Sequence, residues 1–441
     1  MKSLQQFALT LIAFFLLFFA NNLVAQTTWT GNHNSDWNVH ANWTNGMPSY
    51  EDDVIILDAP NDPVLADTRS VKSIKVNAGA KLTIAANGSL RTYVPVAVGQ
   101  TTSTFFNLGT VINMGKIDIG VNNSAGETGF GNNGDLFNKP GATLTINRAT
   151  EYGLDNSGNV YNEGKIVLGS LASPAPRAIL NKITSLFHNK FGGTINIDRS
   201  TVTGIQNEGP FKNDGTLAIG TVASPGGSGF SNIGDGDVEN NGTMTIDRTI
   251  NSGIFNSNPF TNKGTIKIGT IAPLTGAAIF NKKPVSGTCQ FTNVHCGVIL
   301  LNGELINQNT FLNEGLLTVN APIISNLNTV NVLNRGVIEY PQGGPVAKVT
   351  NEDVIVAPVS GGSARVNPAL QIGDKNSFIA AATWYKDKAL TQVAGTYNTT
   401  SNTFTPTNLV GPGPHQLYFS IQRNVGPCPK TVSIKVTLQN N

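Results

Sequence analysis

Charge is scarce in this chain. Only 13% of its 441 residues are Asp, Glu, Lys or Arg, and the formal net charge is +2. A nucleic-acid partner calls for a dense basic face, so that class is excluded. Cysteine is rarer still, with three residues, and the five histidines are scattered without metal-ligand spacing. There is no His-Glu-x-x-His, no Gly-x-Ser-x-Gly and no Cys-x-x-Cys. Gly158 to Lys165 (GNVYNEGK) resembles a phosphate loop only loosely, because the glycine spacing is wrong and no Ser or Thr follows the lysine. After the N-terminus, no apolar run is long enough to span a bilayer. Disorder is excluded too, since 39% of residues are hydrophobic and they alternate in short runs.

The N-terminus reads MKSLQQFALTLIAFFLLFFANNLVAQ, with Lys2, an apolar run from Phe7 to Ala20 and small residues near Ala25. That order predicts a secretory signal peptide over residues 1–25, cleaved before Gln26, and so no membrane span in the mature chain. Export fits the cysteines: Cys289 and Cys296 are spaced for a small local disulfide, which leaves Cys428 alone.

A repeat dominates what is present. An apolar residue, any residue, then Asn recurs at Asn107, Asn132, Asn156, Asn181, Asn207, Asn232, Asn256 and Asn281, always 24 to 26 residues apart. A second Asn follows six or eight positions later, at Asn113, Asn138, Asn162, Asn189, Asn213, Asn240 and Asn262, then a Gly and an alternating run such as Thr-Ile-Lys-Ile. Alternation means a strand with one buried face, and Gly and Asn suit the corners between strands. A period near 25 with no 3.6-residue stripe predicts an all-β fold, a parallel β-helix of expected right-handedness, with the first Asn series stacked as a ladder. Alternate coils end in Gly120, Gly169, Gly220 and Gly269, and those between end in Arg148, Arg199 and Arg248, so the unit is a pair of coils. The expected division is a cap over 26–70, the helix over 71–345 and a different domain over 346–441.

Near the N-terminus, Trp29-Thr30-Gly31, Asp36-Trp37, Asn42-Trp43, Gly46-x-Pro48 and Asp52-Asp53-Val54-x-Ile56 form a specific pattern. It resembles the start of secreted parallel β-helix surface proteins of Bacteroidetes, of the pectin-lyase-like solenoid type. The resemblance implies a cap sealing the first coil. Residues 346–441 lose the coil asparagines, and their longer strands look like the immunoglobulin-like modules of the same class, with Trp384-Tyr385 on a central strand. That resemblance implies a β-sandwich, and a Cys near Cys428 often pairs there with an early strand. The matching strand here, residues 364–372, has no Cys. Such proteins commonly end in a C-terminal sorting domain, which this sequence does not display. The expected location is therefore secreted or cell-surface, with the periplasm as the other compartment.

For chemistry, the candidates are few. Trp29, Trp37 and Trp43 offer rings either for sugar stacking or for cap packing. Arg148, Arg199 and Arg248 share one phase and make either a cationic track for an acidic polysaccharide or a corner paired with Asp198 and Asp247. Asp235 and Asp237 are the weak calcium candidate. A regular ice-binding array is not supported, since Thr-x-Thr at 143–145 and 243–245 is missing from other coils. No carboxylate pair converges in the pattern, and no cofactor is implied. The expected function is a non-enzymatic, adhesin-like or cell-envelope binding element whose partners are polysaccharide or other surface components. The alternative is a polysaccharide lyase or glycoside hydrolase, chemistry that β-helices also carry but that fold alone cannot establish.

Overall fold

The computed structural model describes residues 26–92, 103–120, 126–171, 174–283 and 290–321. Beyond these it describes 323–324, 332–334, 337–339, 349–351, 370–372, 383–387, 389–398, 403–407, 415–421 and 432–438. The signal-peptide segment lies outside the described residues.

Each alternating run forms a strand, and three strands make one turn of a parallel β-solenoid. Stacked turns give three thirteen-stranded sheets. Sheet one runs from Gln26–Trp29 through Ser103–Asn107 to Ile323–Ile324, and sheet two from Val64–Leu65 through Thr110–Asn113 to Val349–Asn351. Sheet three starts at Thr68–Val71, passes Lys116–Ile119, and ends with the one antiparallel pair, Val337–Glu339 with Leu370–Ile372. Among the described residues the only helical element is a 3-10 turn at His40–Asn42. The sheets extend further upstream than residue 71. Asp53–Ile56, Val64–Leu65 and Thr68–Val71 already pair with the coil below, although their sequence lacks the Asn-Gly corners that mark later coils.

Register is kept by what points inward. Phe105, Phe130, Leu154 and Ile179 follow one another in sheet one, and Phe187, Phe211, Val238 and Phe260 in sheet two, all essentially without solvent exposure. Like rings stack on like: Phe260, Phe291 and Phe311 lie at centroid distances of 4.5 and 4.8 Å with nearly parallel planes. A slip of one residue would turn this whole set to water, so burial fixes the pairing.

Two of the three corners are closed by amides. The first Asn series forms a continuous ladder in which Nδ2 of each residue donates to Oδ1 of the next, from Asn107 through Asn207 to Asn307, at 2.8–3.0 Å. The second Asn series does the same from Asn113 through Asn213 to Asn334, at 2.7–2.8 Å. All are fully buried. A buried amide is tolerated only when its hydrogen bonds are made, and stacking identical residues makes them along each ladder down to its last donors, Asn281 and Asn313. Above the first rungs, the register places Val76 over Asn107 and Ile84 over Asn113.

The third corner alternates. Connections 120–127, 169–176, 220–229 and 269–276 are long, and 147–151, 198–202, 247–251 and 302–304 are short. Coils with a short third connection put extra residues elsewhere: at 139–142, 182–185, 190–193, 233–237 and 294–297. This compensation keeps the period near 25 while the shape alternates.

At the top, Trp29 and Trp37 are fully buried and Trp43 is 5% exposed, with edge-to-face contacts at 4.9 and 4.7 Å. Trp29 sits in register with Ile56, so the indoles cover the open end of the core. Residues after 383 form a five-stranded antiparallel sheet with Thr383–Tyr385 in the middle, where Trp384 is buried. The described residues show this single sheet, not a sandwich of two.

Candidate functional site

The sequence-derived candidates divide cleanly in the structure. The three tryptophans are packed into the cap, with Trp29 Nε1 donating to the Asn61 carbonyl (2.7 Å) and Trp43 Nε1 to the Trp37 carbonyl (2.8 Å). Their ring faces are not open to a sugar, which corrects the stacking reading.

The arginine row is likewise spent inside the molecule. Arg199 donates to the carbonyls of Gly169 and Ser170 (3.3 and 2.7 Å), and Arg248 to those of Gly220 and Thr221 (2.6 and 2.8 Å). Arg148 abuts Gly120, where an added Cβ would stand 3.0 Å from the Arg148 carbonyl oxygen. These glycines have φ between +66° and +72°, a backbone that turns the carbonyl toward the coil below and that side chains resist. The expected pairing of Asp198 and Asp247 with arginine is replaced by contacts to the following coil. Asp198 accepts from the Thr221 hydroxyl (2.5 Å), and Asp247 from the backbone N–H of Ile271 and Ala272 (3.1 and 3.3 Å). The short connections 198–202 and 247–251 thus staple the long connections on both sides of them.

Asp235 and Asp237 are exposed on the 233–237 connection. Among the described residues no group of three His, Cys, Asp or Glu side chains converges in a way that could hold a metal ion. Cys296 is disulfide-bonded; Cys289 and Cys428 lie outside the described residues.

A groove that none of these candidates marked lies at the second corner, with a volume of about 580 Å³. In the coils of Asn207, Asn232 and Asn256 this corner is a tight two-residue turn: Asp214-Gly215, Asn241-Gly242 and Lys263-Gly264. The coils on either side have four-residue corners, closed by Gly193 N–H to Lys190 O (2.9 Å) and Gly297 N–H to Val294 O (2.7 Å). Three low corners between two high ones make the recess.

Its floor is backbone. A Cβ on Gly215, Gly242 or Gly264 would lie 2.0–2.2 Å from the carbonyl oxygen of the glycine one coil above, so no larger residue fits. One wall is the outer column of sheet three, where Thr194, Thr216, Thr243 and Thr265 stand in register, one per coil. Among the described residues no protein hydrogen bond takes up the hydroxyls of Thr216, Thr243 and Thr265. The opposite wall carries Asp214, Asn241 and Lys263. Asn241 donates to Asp214 (2.6 Å), His188 Nε2 meets the other Asp214 oxygen (2.6 Å), and Lys263 is bonded to Glu239. Burial pushes the Asp214 carboxyl up, but the hydrogen bonds from Asn241 and His188 outweigh it and hold the group below its ordinary value. The Lys263 hydrogen bond does the same for Glu239.

One end of the groove is Phe191, 90% exposed at the tip of the turn Lys190-Phe191-Gly192-Gly193. Gly192 has φ +83°, as the third position of a type II turn requires, and this projects Phe191 into water. The sequence signal was an aromatic residue directly before Gly-Gly in NKFGG, where the corners at Glu163, Asp214, Asn241 and Lys263 put a polar residue before the glycine. Chemically, the groove offers hydroxyls, amide edges, one aromatic ring and no net charge.

Among known protein families, residues 28–128 match the model of a domain of unknown function, DUF8693. The match takes in the tryptophan cap and the first coils, including the Asn107 coil, and stops before the groove. No curated protein matches the chain, and no solved structure does. Among the described residues no helix is long and apolar enough to cross a membrane.

Proposed function

We propose that this is a secreted, non-enzymatic β-solenoid that serves as an adhesin-like or cell-envelope binding element and takes polysaccharide as a partner. In this reading residues 1–25 are a cleaved signal peptide and the solenoid is right-handed, of the pectin-lyase-like type seen in Bacteroidetes surface proteins. Residues 346–441, apart from the strands Val349–Asn351 and Leu370–Ile372 that extend the solenoid sheets, form an immunoglobulin-like module that spaces or docks the rod. The observation that carries the proposal is the groove itself. It is an open recess lined by hydroxyls, an amide and one aromatic ring, and its one carboxylate, Asp214, is committed to His188 and Asn241. Glycoside hydrolysis needs two carboxyl groups facing one another across the bond to be broken, roughly 5–10 Å apart. Asp214 and Glu239 are instead tied to His188, Asn241 and Lys263 along one wall.

The test uses the mature chain, residues 26–441, with a panel of soluble and insoluble polysaccharides, with and without calcium. Retention and the release of reducing or unsaturated ends are scored in the same tubes. Retention without products is the expected outcome. Product release from any polymer overturns the non-enzymatic reading.

A further inference from the structure

We infer that the recess between the Phe191 turn and the 294–297 corner takes an uncharged, unbranched polysaccharide chain lying parallel to the solenoid axis; this rests on the binding role proposed above and gives it a place and a ligand class.

The recess exists because one coil breaks the pattern of its neighbours. The short-connection coils of Asn132, Asn181 and Asn281 all carry four-residue second corners, at 139–142, 190–193 and 294–297. The Asn232 coil belongs to the same set, yet it places its extra residues at the first corner, 233–237, and keeps Asn241-Gly242 tight. Had it followed the others, a raised turn would cut the groove in half. The displaced insertion joins three low corners into one continuous trough.

The trough has a direction and a repeat. Thr216, Thr243 and Thr265 succeed each other by one coil, about 4.8 Å along the axis. Their hydroxyls both donate and accept, and among the described residues no protein partner satisfies them. A ligand matching that row must itself present hydroxyl or ether oxygens at short, regular intervals along a line, which is the chemistry of a glycan chain. The glycine floor lets it approach the backbone closely and leaves no room for branches to point inward. Bridging water can complete contacts that are too long to be direct.

Charge selects among glycans. The lining holds one carboxylate and one ammonium, Asp214 and Lys263, and both are already paired. No cation is left to offset a uronate or sulfate, and Asp214 would repel it. Phe191 supplies the apolar contact. Its ring has a negative face that suits the polarised C–H groups on one side of a sugar ring, and covering it removes apolar surface from water.

The test compares the mature chain on neutral polymers (glucan, mannan, xylan) and acidic ones (polygalacturonate, alginate) by affinity gel electrophoresis and calorimetry. Two variants accompany it: Phe191→Ala, and the triple change Thr216→Val, Thr243→Val, Thr265→Val. The matching triple Ser variant keeps the hydroxyls. Neutral polymers should bind, and the Phe191→Ala and Val variants should weaken binding about tenfold or more, equivalent to about 1.4 kcal/mol. The Ser variant should bind like the wild type, and circular dichroism should be unchanged in all of them. Wild-type binding that survives the Phe and Val changes overturns the assignment to this groove while leaving a binding role intact. Preference for acidic polymers overturns the ligand class. Binding to no polysaccharide overturns the inference together with the role on which it rests.

Discussion

A buried asparagine is an unusual way to fill a protein interior, because an amide without partners costs several kcal/mol in apolar surroundings. Asn213 shows how the cost is removed. Its Nδ2 donates to Asn240 Oδ1 (2.7 Å) and the Thr243 carbonyl (3.3 Å), and its Oδ1 accepts from Asn189 (2.7 Å). Asn213→Ala orphans a group on the coil above and another on the coil below. Each orphan costs about 1–3 kcal/mol, so the loss should be about 2–5 kcal/mol in urea unfolding. Asn113 heads its ladder and has Ile84 above it in register, so Asn113→Ile should cost about half as much. Equal losses at the two sites would sink the ladder account. The first ladder was legible in the sequence as asparagines at one phase. The second was visible only as a period, because the interval between the two series switches between six and eight. The structure shows why: the Asn181 and Asn232 coils insert residues at 182–185 and 233–237, between their two ladder positions. Phe191 was hidden for another reason. In a chain whose phenylalanines fill much of the core, one more reads as core until the turn that expels it is known.

At the scale of strands and corners, electrostatics is local and coil-to-coil. The Lys190 hydrogen bond holds the Glu163 carboxyl below its ordinary value, as Lys263 does for Glu239, while Asp214 is held low against its own burial by Asn241 and His188. A carboxyl whose folded pKa is depressed adds stability that is full above the unfolded value, near 4. That stability is lost as pH falls through the folded value. Melting temperature should therefore decline as pH drops from about 5 toward 3. A variant combining Glu163→Gln, Asp214→Asn and Glu239→Gln should decline less steeply over the same window. All three groups are partly exposed, so the difference is expected to be small and to shrink in high salt. Parallel slopes in low salt would show that these pairs do not contribute. The arginine phase was legible as a two-coil repeat. Its target was not, because the acceptors of Arg199 and Arg248 are main-chain carbonyls, which carry no letter of their own, and because Asp198 and Asp247 beside them reach away to the next coil.

The molecule as a whole is a stack, and a stack has ends. Gln26–Trp29 pairs with Asp53–Ile56, with Trp29 opposite Ile56, and Trp29, Trp37 and Trp43 are buried with Val54 and Ile56 in the one core. Deleting residues 26–52 strips those indoles and leaves a bare strand edge beside apolar side chains. Edges of this kind recruit other chains. The truncated protein should form soluble oligomers or aggregates by light scattering while keeping its β-rich circular dichroism. A monodisperse monomer would show that the cap is dispensable. The cap was readable from its Trp-Thr-Gly and Asp-Trp spacings, but the start of the solenoid was not, since the first coils use Ile56, Val76 and Ile84 where later ones use asparagine. The tail from 346 onward was readable as strands and as a change of pattern; of its described strands, Val349–Asn351 and Leu370–Ile372 still belong to the solenoid sheets, and those from Thr383 onward form one antiparallel sheet.

The staples at the third corner have a consequence for how such a protein can change its length. Removing one coil would set two long connections side by side with no arginine or aspartate between them, or two short ones with nothing to hold. Removing a pair, such as residues 152–202, would bring the short connection 147–151 against the long connection 220–229, and the alternation would continue undisturbed. The rod is therefore a ruler graduated in double coils, about 10 Å to the mark. Shortening or extension by duplication should respect those graduations, with single-coil changes confined to the ends, where no staple is due.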